Sequence, residues 1–339
     1  MRTDDFDYFL PPERIAQTPV EPRHASRLLV VNRASDQLEH RHFWEVGDYL
    51  RPGDLLVVNH TRVLPARIFA RKPTGGKVEI LLLRQEEEQV WEALVGGKRV
   101  TAGLTLRLED GASVKVEAVL DGSRRRLRFE GPVQPYLERH GQMPLPPYIH
   151  TPLGNPERYQ TVYAAQPGSA AAPTAGLHFT PELMDALRAK GVGFATVTLH
   201  VGLDTFAPVT EDDPQEHVIH TEWCQLTPET AAQIEAARQA GGRVIAVGTT
   251  SVRTLESAAR AAGPGQSVAA YSGPTDLFIL PGYKFRAVDA MITNFHLPRS
   301  TLLMLVSAFA GRERMLAAYA EAVRLEYRFF SFGDAMLIV

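Results

Sequence analysis

Cysteine is almost absent: Cys224 is the one example in 339 residues. That excludes an intrachain disulfide and a cysteine-based zinc cluster, and it fits a reducing cytoplasm. Long apolar runs are missing too. The longest, Leu302 to Ala310, falls short of the ~18 residues that cross a bilayer and suits a buried helix. The opening MRTDDFDYFLPPE is acidic and broken by proline where a secretory signal would be basic and then apolar. A cytoplasmic chain without a membrane segment is expected. Charge of one sign is also scarce: the net of −3 argues against a general polyanion binder and leaves room for a local basic patch. What remains, 45% hydrophobic and 22% charged residues, is enough to build a sizeable core and two domains.

The chain reads as one texture interrupted by another. Residues 1–26 are too rich in proline for regular structure and suit an ordered wrap, while RLLVVN (27–32) and DLLVVN (54–59) have the length and β-branching of buried strands. From Arg62, short alternating segments are spaced by Gly-Gly and Asp-Gly turns, the pattern of a small antiparallel barrel over 62–132. Residues 62–130 carry 14 Lys/Arg against 10 Asp/Glu, a net of +4 that leaves −7 for the rest. With Arg124, Arg125, Arg126 and Arg128 together, this module suits either a polyanion or ordinary solvated strand faces.

After a Pro-rich return (144–160), strands and helices alternate. Strands are expected at 194–201, 243–248, 289–296 and 335–339. Helices are expected from Thr180, Thr227 and Thr249-Thr250-Ser251, at 301–310 behind Ser300, and at 312–327. The fold class is therefore α/β with a mixed or largely parallel sheet, formed by 1–61 plus 133–339, with the small antiparallel β-barrel inserted at 62–132. The apolar terminal strand is expected to be buried, so truncation there should be damaging.

The stretch GSAAAPTAGLHFT (168–180) has almost no side chain to pack before His178. It is either a backbone surface that a ligand approaches closely, with exposed amides leading to the helix that begins at Thr180, or a tightly packed buried turn. In open α/β sheets, ligands gather at the carboxyl ends of strands. Four polar clusters fall there: His200; Gly248-Thr249-Thr250-Ser251; Asn294 with His296; and the loop ending at His178. The second offers hydroxyls and amides to an anion, with Arg253 one turn on, but lacks the glycines and lysine of a nucleoside triphosphate loop. His217, His220 and Glu222 (HVIHTE) lack metalloprotease spacing, so no metal is expected and acid–base or hydrogen-bonding roles suit them better. In YRFFSFGDAM (327–336), Arg328 among aromatics suits base stacking, while Phe329 and Phe330 read as core.

Several long strings together carry a resemblance. RYQTVYA (158–164), GSAAAPTAGLHFT, TLHVGLDTF (198–206), VGTTSVRTLES (247–257), the run 280–311 and EYRFFSFGDAMLIV (326–339), with much of the first sixty residues, resemble the S-adenosylmethionine:tRNA ribosyltransferase-isomerase family of queuosine biosynthesis. The resemblance spans nearly the whole chain. It implies that S-adenosylmethionine is consumed as a substrate, with no separate cofactor. Its ribosyl unit would pass to the aminomethyl group of a 7-deazaguanine base at the wobble position of tRNA, giving epoxyqueuosine and releasing adenine and methionine.

Such chemistry needs a base beside the sulfonium, a donor for departing adenine and a cradle for the methionine carboxylate. Under the resemblance, His178, His200, His217 and His220 form the catalytic acid–base pool. Thr174, Gly176, Thr249, Thr250 and Arg253 would hold the donor, and Asn294, His296 and Arg328 would contact donor or target base. A monomer binding tRNA is expected, with its target base turned out of the stack. Asp204 stands where the family typically has glycine, which adds an acid beside the expected site. An ordinary methyltransferase is disfavoured because no glycine-rich loop follows RLLVV, and a purely RNA-binding module would leave the strand-end clusters unexplained.

Overall fold

The structure is a computed structural model that describes residues 1–35, 37–202 and 209–339. The proline-dense entry forms short 3-10 turns at Thr3–Phe6, Pro12–Arg14 and Arg23–Ala25. Then come β1 (Arg27–Val31), β2 (Leu38–His42), β3 (Leu55–Asn59) and β4 (Thr61–Val63). The next six strands are β5 (Arg67–Arg71), β6 (Lys77–Glu87), β7 (Val90–Val95), β8 (Thr105–Leu108), β9 (Ser113–Val119) and β10 (Arg124–Phe129). They are followed by α1 (Gln134–His140), β11 (Gln166–Ser169), α2 (Pro181–Ala189), β12 (Gly193–Leu199) and β13 (Glu222–Leu226). The chain continues through α3 (Pro228–Gln239), β14 (Val244–Val247), α4 (Thr249–Ala261), β15 (Tyr271–Thr275) and β16 (Ala290–Asn294). It closes with α5 (Thr301–Ala310), α6 (Arg312–Arg324) and β17 (Ala335–Ile338).

The chain divides into two compact units. One comprises Met1–Thr61, Pro147–Gln166 and Ala172–Val339; the other comprises Arg62–Pro146 and Pro167–Ala171. The second unit thus takes in 133–146 and 167–171, which the sequence pattern assigned to the α/β part. Inside that unit, Arg67 and Gln142 exchange backbone hydrogen bonds at 3.2 and 2.8 Å, which holds the segment after α1 against β5.

In the first unit nine strands form one mixed sheet in the order β15-β13-β12-β3-β14-β16-β17-β1-β2. Strands β12, β3, β14 and β16 run parallel, β17 is antiparallel to β16, and β1 is parallel to β17. The carboxyl ends of β3, β12, β14 and β16 therefore share one edge with the amino ends of β1 and β17. Alternation along the strands gives the sheet two buried faces. Leu29, Val57, Ala246, Met291 and Met336 pack on the side of α4, α5 and α6, while Leu28, Leu56, Ile245, Ile292 and Leu337 pack on the side of α2.

Helix starts follow the expected caps at α2, α3 and α5: Thr180, Thr227 and Ser300 oxygens accept from Leu183, Thr230 and Leu303 amides at 3.2, 3.2 and 3.1 Å. At α4 the expectation of a hydroxyl cap from Thr249-Thr250-Ser251 is corrected. Gly248 occupies the cap at φ +88° and ψ 154°, and no side chain caps the helix. That backbone region is essentially restricted to glycine, and it lets β14 turn straight into α4. Ser251 Oγ instead donates back to the Val247 carbonyl at 2.8 Å.

In the second unit β10, β7, β6, β5, β8 and β9 close into an antiparallel barrel. Ile68, Ile80, Ala93, Leu106, Val116 and Leu127 are buried within this unit. Three of the four arginines of β10 are engaged with the barrel's own acids, Arg124 with Glu92 at 3.0 Å, Arg126 with Glu86 at 2.7 Å, and Arg128 with Glu87 at 3.2 Å and with Glu117, while Arg125 donates to the Val100 and Gly122 carbonyls, each at 2.9 Å. Much of the expected basic stripe is thus balanced within the strand faces.

Candidate functional site

At the strand-end edge of the first unit lies a narrow cleft, open at its mouth, with an interior volume of about 60 Å³. Its polar lining comes from Thr174, Thr249, Thr250, Thr293, Asn294 and His296, with Ser300 and Ser331; its apolar lining includes Tyr148, Ala172, Ala175, Phe295 and Phe330. No charged side chain is among the described lining residues. The first turn of α4, whose amides carry the positive end of the helix dipole, forms part of the wall.

Behind that wall sits a fully engaged histidine. His178 Nδ1 lies 2.7 Å from Ser26 Oγ, and its Nε2 lies 3.2 Å from Asn294 Nδ2. Asn294 Nδ2 also donates to the Phe330 carbonyl at 3.0 Å. A carbonyl only accepts, so the amide nitrogen must face it. Nε2 of His178 is then the acceptor, and its proton sits on Nδ1 and points to Ser26. Burial, reinforced by the positive charges of Arg328 and Arg23, pushes the pKa of His178 down to about 3. His296 is equally buried and is pushed down to about 3 by desolvation. Its Nε2 is 2.8 Å from Thr293 Oγ1, and Tyr319 Oη and Tyr8 Oη bond its backbone amide and carbonyl. Both rings are neutral at physiological pH.

The expected site residues therefore fall into groups. Thr174, Thr249, Thr250, Asn294 and His296 line one cleft, with His178 directly behind Asn294. His217, His220 and Arg253 line a second cleft together with Glu222, Leu277 and Phe278, and Leu302 contributes to both. Arg253 pairs with Glu222 and bonds the Leu277 carbonyl at 3.1 Å, while His217 Nδ1 is 2.9 Å from Glu211. His200 belongs to a third cluster. Its Nδ1 is 2.9 Å from Thr61 Oγ1, its ring stacks on Trp223 at 5.4 Å, and burial together with nearby His60 lowers its pKa.

Two further expected residues face packing partners. A Cβ on Gly176 would lie 2.0 Å from Tyr163 Oη, so glycine there answers the close approach of Tyr163, and the run Ala172–Thr180 is buried except for half-buried Thr174. The expectation of exposed amides along this run gives way to the packed-turn alternative, although Ala172 to Ala175 still form cleft wall. Arg328 donates to the Thr18 carbonyl, and its amide bonds Asp334 at 2.8 Å. Asp204 lies outside the described residues.

Sequence reasoning missed Tyr148, Thr293, Ser300 as lining, and Ser331. It also missed Asn59, His60 and Thr61. Asn59 ends the buried strand β3 and His60 and Thr61 come next, so the strand-end rule applied elsewhere would have found them. Asn59 Nδ2 reaches Thr250 Oγ1 at 3.2 Å and the Leu199 carbonyl at 2.9 Å, tying β3 to β12 and to the start of α4. Among the described residues no group of three His, Cys, Asp or Glu side chains could hold a metal ion, and no helix is long and apolar enough to cross a membrane.

A mixed α/β sheet with an inserted barrel, and a strand-end cleft at an uncapped helix start, define an α/β protein of two compact units. A family model described as "Queuosine biosynthesis protein" matches residues 3–338, and the chain belongs to that family. Relatives named S-adenosylmethionine:tRNA ribosyltransferase-isomerase, from Moorella thermoacetica and Symbiobacterium thermophilum, are 57% and 58% identical over 100% of both chains. The crystal structure of an S-adenosylmethionine tRNA ribosyltransferase from Thermotoga maritima is 44% identical, covers 99% of this chain and 100% of that one, and superposes with a TM-score of 0.58.

Proposed function

We propose that this chain is an enzyme, an S-adenosylmethionine:tRNA ribosyltransferase-isomerase acting in queuosine biosynthesis. The observation that carries this reading is full-length identity of 57% and 58% to relatives bearing that name. A small-walled cleft with an amide-rich helix start and no charged side chain among its described lining residues supports it, since such a site suits a donor of mixed charge.

The acceptor is the aminomethyl group of 7-aminomethyl-7-deazaguanine at the wobble position. Its nitrogen takes the ribosyl carbon, the carbon–sulfur bond breaks to release methionine, and the glycosidic bond breaks to release adenine. The ribosyl ring rearranges to the epoxide of epoxyqueuosine. S-adenosylmethionine is consumed, so it is a substrate rather than a cofactor. The protein works as a cytoplasmic monomer on tRNA.

Among the histidines, His200, His217 and His220 are the candidates for proton transfer. His178 and His296, neutral and buried, hold hydrogen-bonding geometry. Thr174, Thr249 and Thr250 bind the donor, and Arg253 shapes the second cleft through Glu222. Label placement tests the reading. S-adenosylmethionine labelled in its ribose carbons should transfer label to tRNA, and the same donor labelled in its S-methyl group should not. Methyl label on tRNA would establish a methyltransferase instead.

A further inference from the structure

The start of α4 presents the amides of Thr249, Thr250 and Ser251 before the helix ladder begins with Val252 donating to the Gly248 carbonyl at 3.2 Å. A threonine or serine oxygen covers the corresponding end of α2, α3 and α5; no side chain covers that of α4. The second observation is Asn294, which is 3% exposed. Both hydrogens of its amide nitrogen are used, by the Phe330 carbonyl and by His178 Nε2, and its Oδ1 has no hydrogen-bond partner among the described residues. A buried carbonyl left so costs roughly 1–3 kcal/mol, which a ligand donor recovers.

These two features are neighbours. Val247 pairs with Ile292 and Gly248 donates to the Ile292 carbonyl at 2.7 Å, so α4 begins beside the end of β16, and Thr249, Thr250 and Asn294 line the same cleft. The wall thus offers donors on one side and the buried, unpartnered Asn294 Oδ1 on the other, and no charged side chain is among its described lining residues. An anion alone would leave Oδ1 unmet, and a cation alone would leave the amides unmet. A carboxylate and an ammonium on one carbon answer both.

We propose that the cleft binds the α-amino-acid end of S-adenosylmethionine, the carboxylate on the first amides of α4 and the ammonium donating to Asn294 Oδ1. The proposal rests on the functional reading above and deepens it. His178 is then a positioning residue: its neutral Nε2 and the Phe330 carbonyl hold the Asn294 carboxamide so that oxygen, not nitrogen, is offered to the ligand.

The test uses calorimetric binding of three probes to the full chain: S-adenosylmethionine, its analogue lacking the α-amino group, and its carboxamide analogue. Wild type should bind each analogue at least tenfold more weakly than S-adenosylmethionine, as expected for a lost charge-assisted hydrogen bond. In Asn294→Leu the penalty for the missing amino group should fall to about twofold or less, while the carboxamide penalty persists. Asn294→Ser serves the same comparison if the leucine variant does not fold. Equal binding of S-adenosylmethionine and the desamino analogue by wild type overturns the proposal, as does a folded Asn294 variant that keeps the discrimination. Tight binding and turnover with no such discrimination would sink this subsite alone. No binding of S-adenosylmethionine by wild type would count against the functional reading itself.

Discussion

Arg253 and Glu222 form an ion pair inside the protein, with 6% and 5% of their side chains exposed. Glu222 also accepts the Gly202 amide at 2.8 Å, and Arg253 bonds the Leu277 carbonyl. Removing one member leaves an uncompensated buried charge, so Arg253→Met or Glu222→Met should each cost about 3–5 kcal/mol. The double variant should recover most of that loss. Urea unfolding midpoints measure it. If Arg253→Met left stability unchanged and abolished S-adenosylmethionine binding, the guanidinium would be a donor ligand rather than a wall of the second cleft.

His178 and His296, both held near pKa 3 by burial, make stability depend on acid. Their folded pKa values lie below the unfolded value of about 6.5, so the unfolded chain binds more protons between those limits. Stability is complete above about pH 6.5 and falls as pH drops towards 3, by roughly 1.4 kcal/mol per pH unit for each histidine. Denaturant titrations at pH 7, 6 and 5 should show this slope, and His296→Gln should remove about half of it. A flat profile from pH 7 to 5 would mean that the rings are not buried neutral.

Gly176→Ala places a methyl group 2.0 Å from Tyr163 Oη and 2.8 Å from Thr161 Cγ2. Overpacking of that kind costs roughly 1–3 kcal/mol. Thermal unfolding should register the loss, and Tyr163→Phe should relieve it only in part, because the ring carbon Cζ at 2.9 Å and Thr161 Cγ2 at 2.8 Å still crowd the new methyl. An alanine variant as stable as wild type would restore a purely ligand-driven reason for the glycine.

His200 has its pKa lowered, by burial first and by His60 second. If it removes the proton beside the sulfonium, it must be neutral, so kcat/KM should fall with acid along a limb lying below pH 6.5. His200→Gln should cut kcat by roughly 10²–10⁴-fold and abolish that limb. A variant retaining both rate and limb would move the proton-transfer role to His217 or His220.

Where burial is two-sided, the sequence spells out the fold. RLLVV, LLVVN, VIAV and AMITN become central strands, and Thr180, Thr227 and Ser300 announce their helices by hydroxyl caps. Strands β2 (LEHRH) and β15 (YSGPT), at the two ends of the sheet order, escaped notice because polar residues, Gly273 and Pro274 carry no alternating apolar signal. The cleft was half legible. Strand-end polarity pointed to Thr249, Thr250, Asn294 and His296, but which side of the Asn294 carboxamide is free depends on Phe330 and His178, 36 and 116 residues away. Tyr148 and Ser331, 2.7 Å apart at the cleft, come from a Pro-rich segment and an aromatic tail that no local pattern joins.

Ribosyl transfer itself is tested most directly by incubating the protein with S-adenosylmethionine and tRNA bearing the aminomethyl-deazaguanine base, then following small molecules and nucleosides by mass spectrometry. Adenine and methionine released in equal amounts, matched by the ribosyl-derived mass gain on the modified nucleoside, are the expected products. S-adenosylhomocysteine with a methyl mass gain, or tRNA binding without consumption of S-adenosylmethionine, would contradict the proposed reaction.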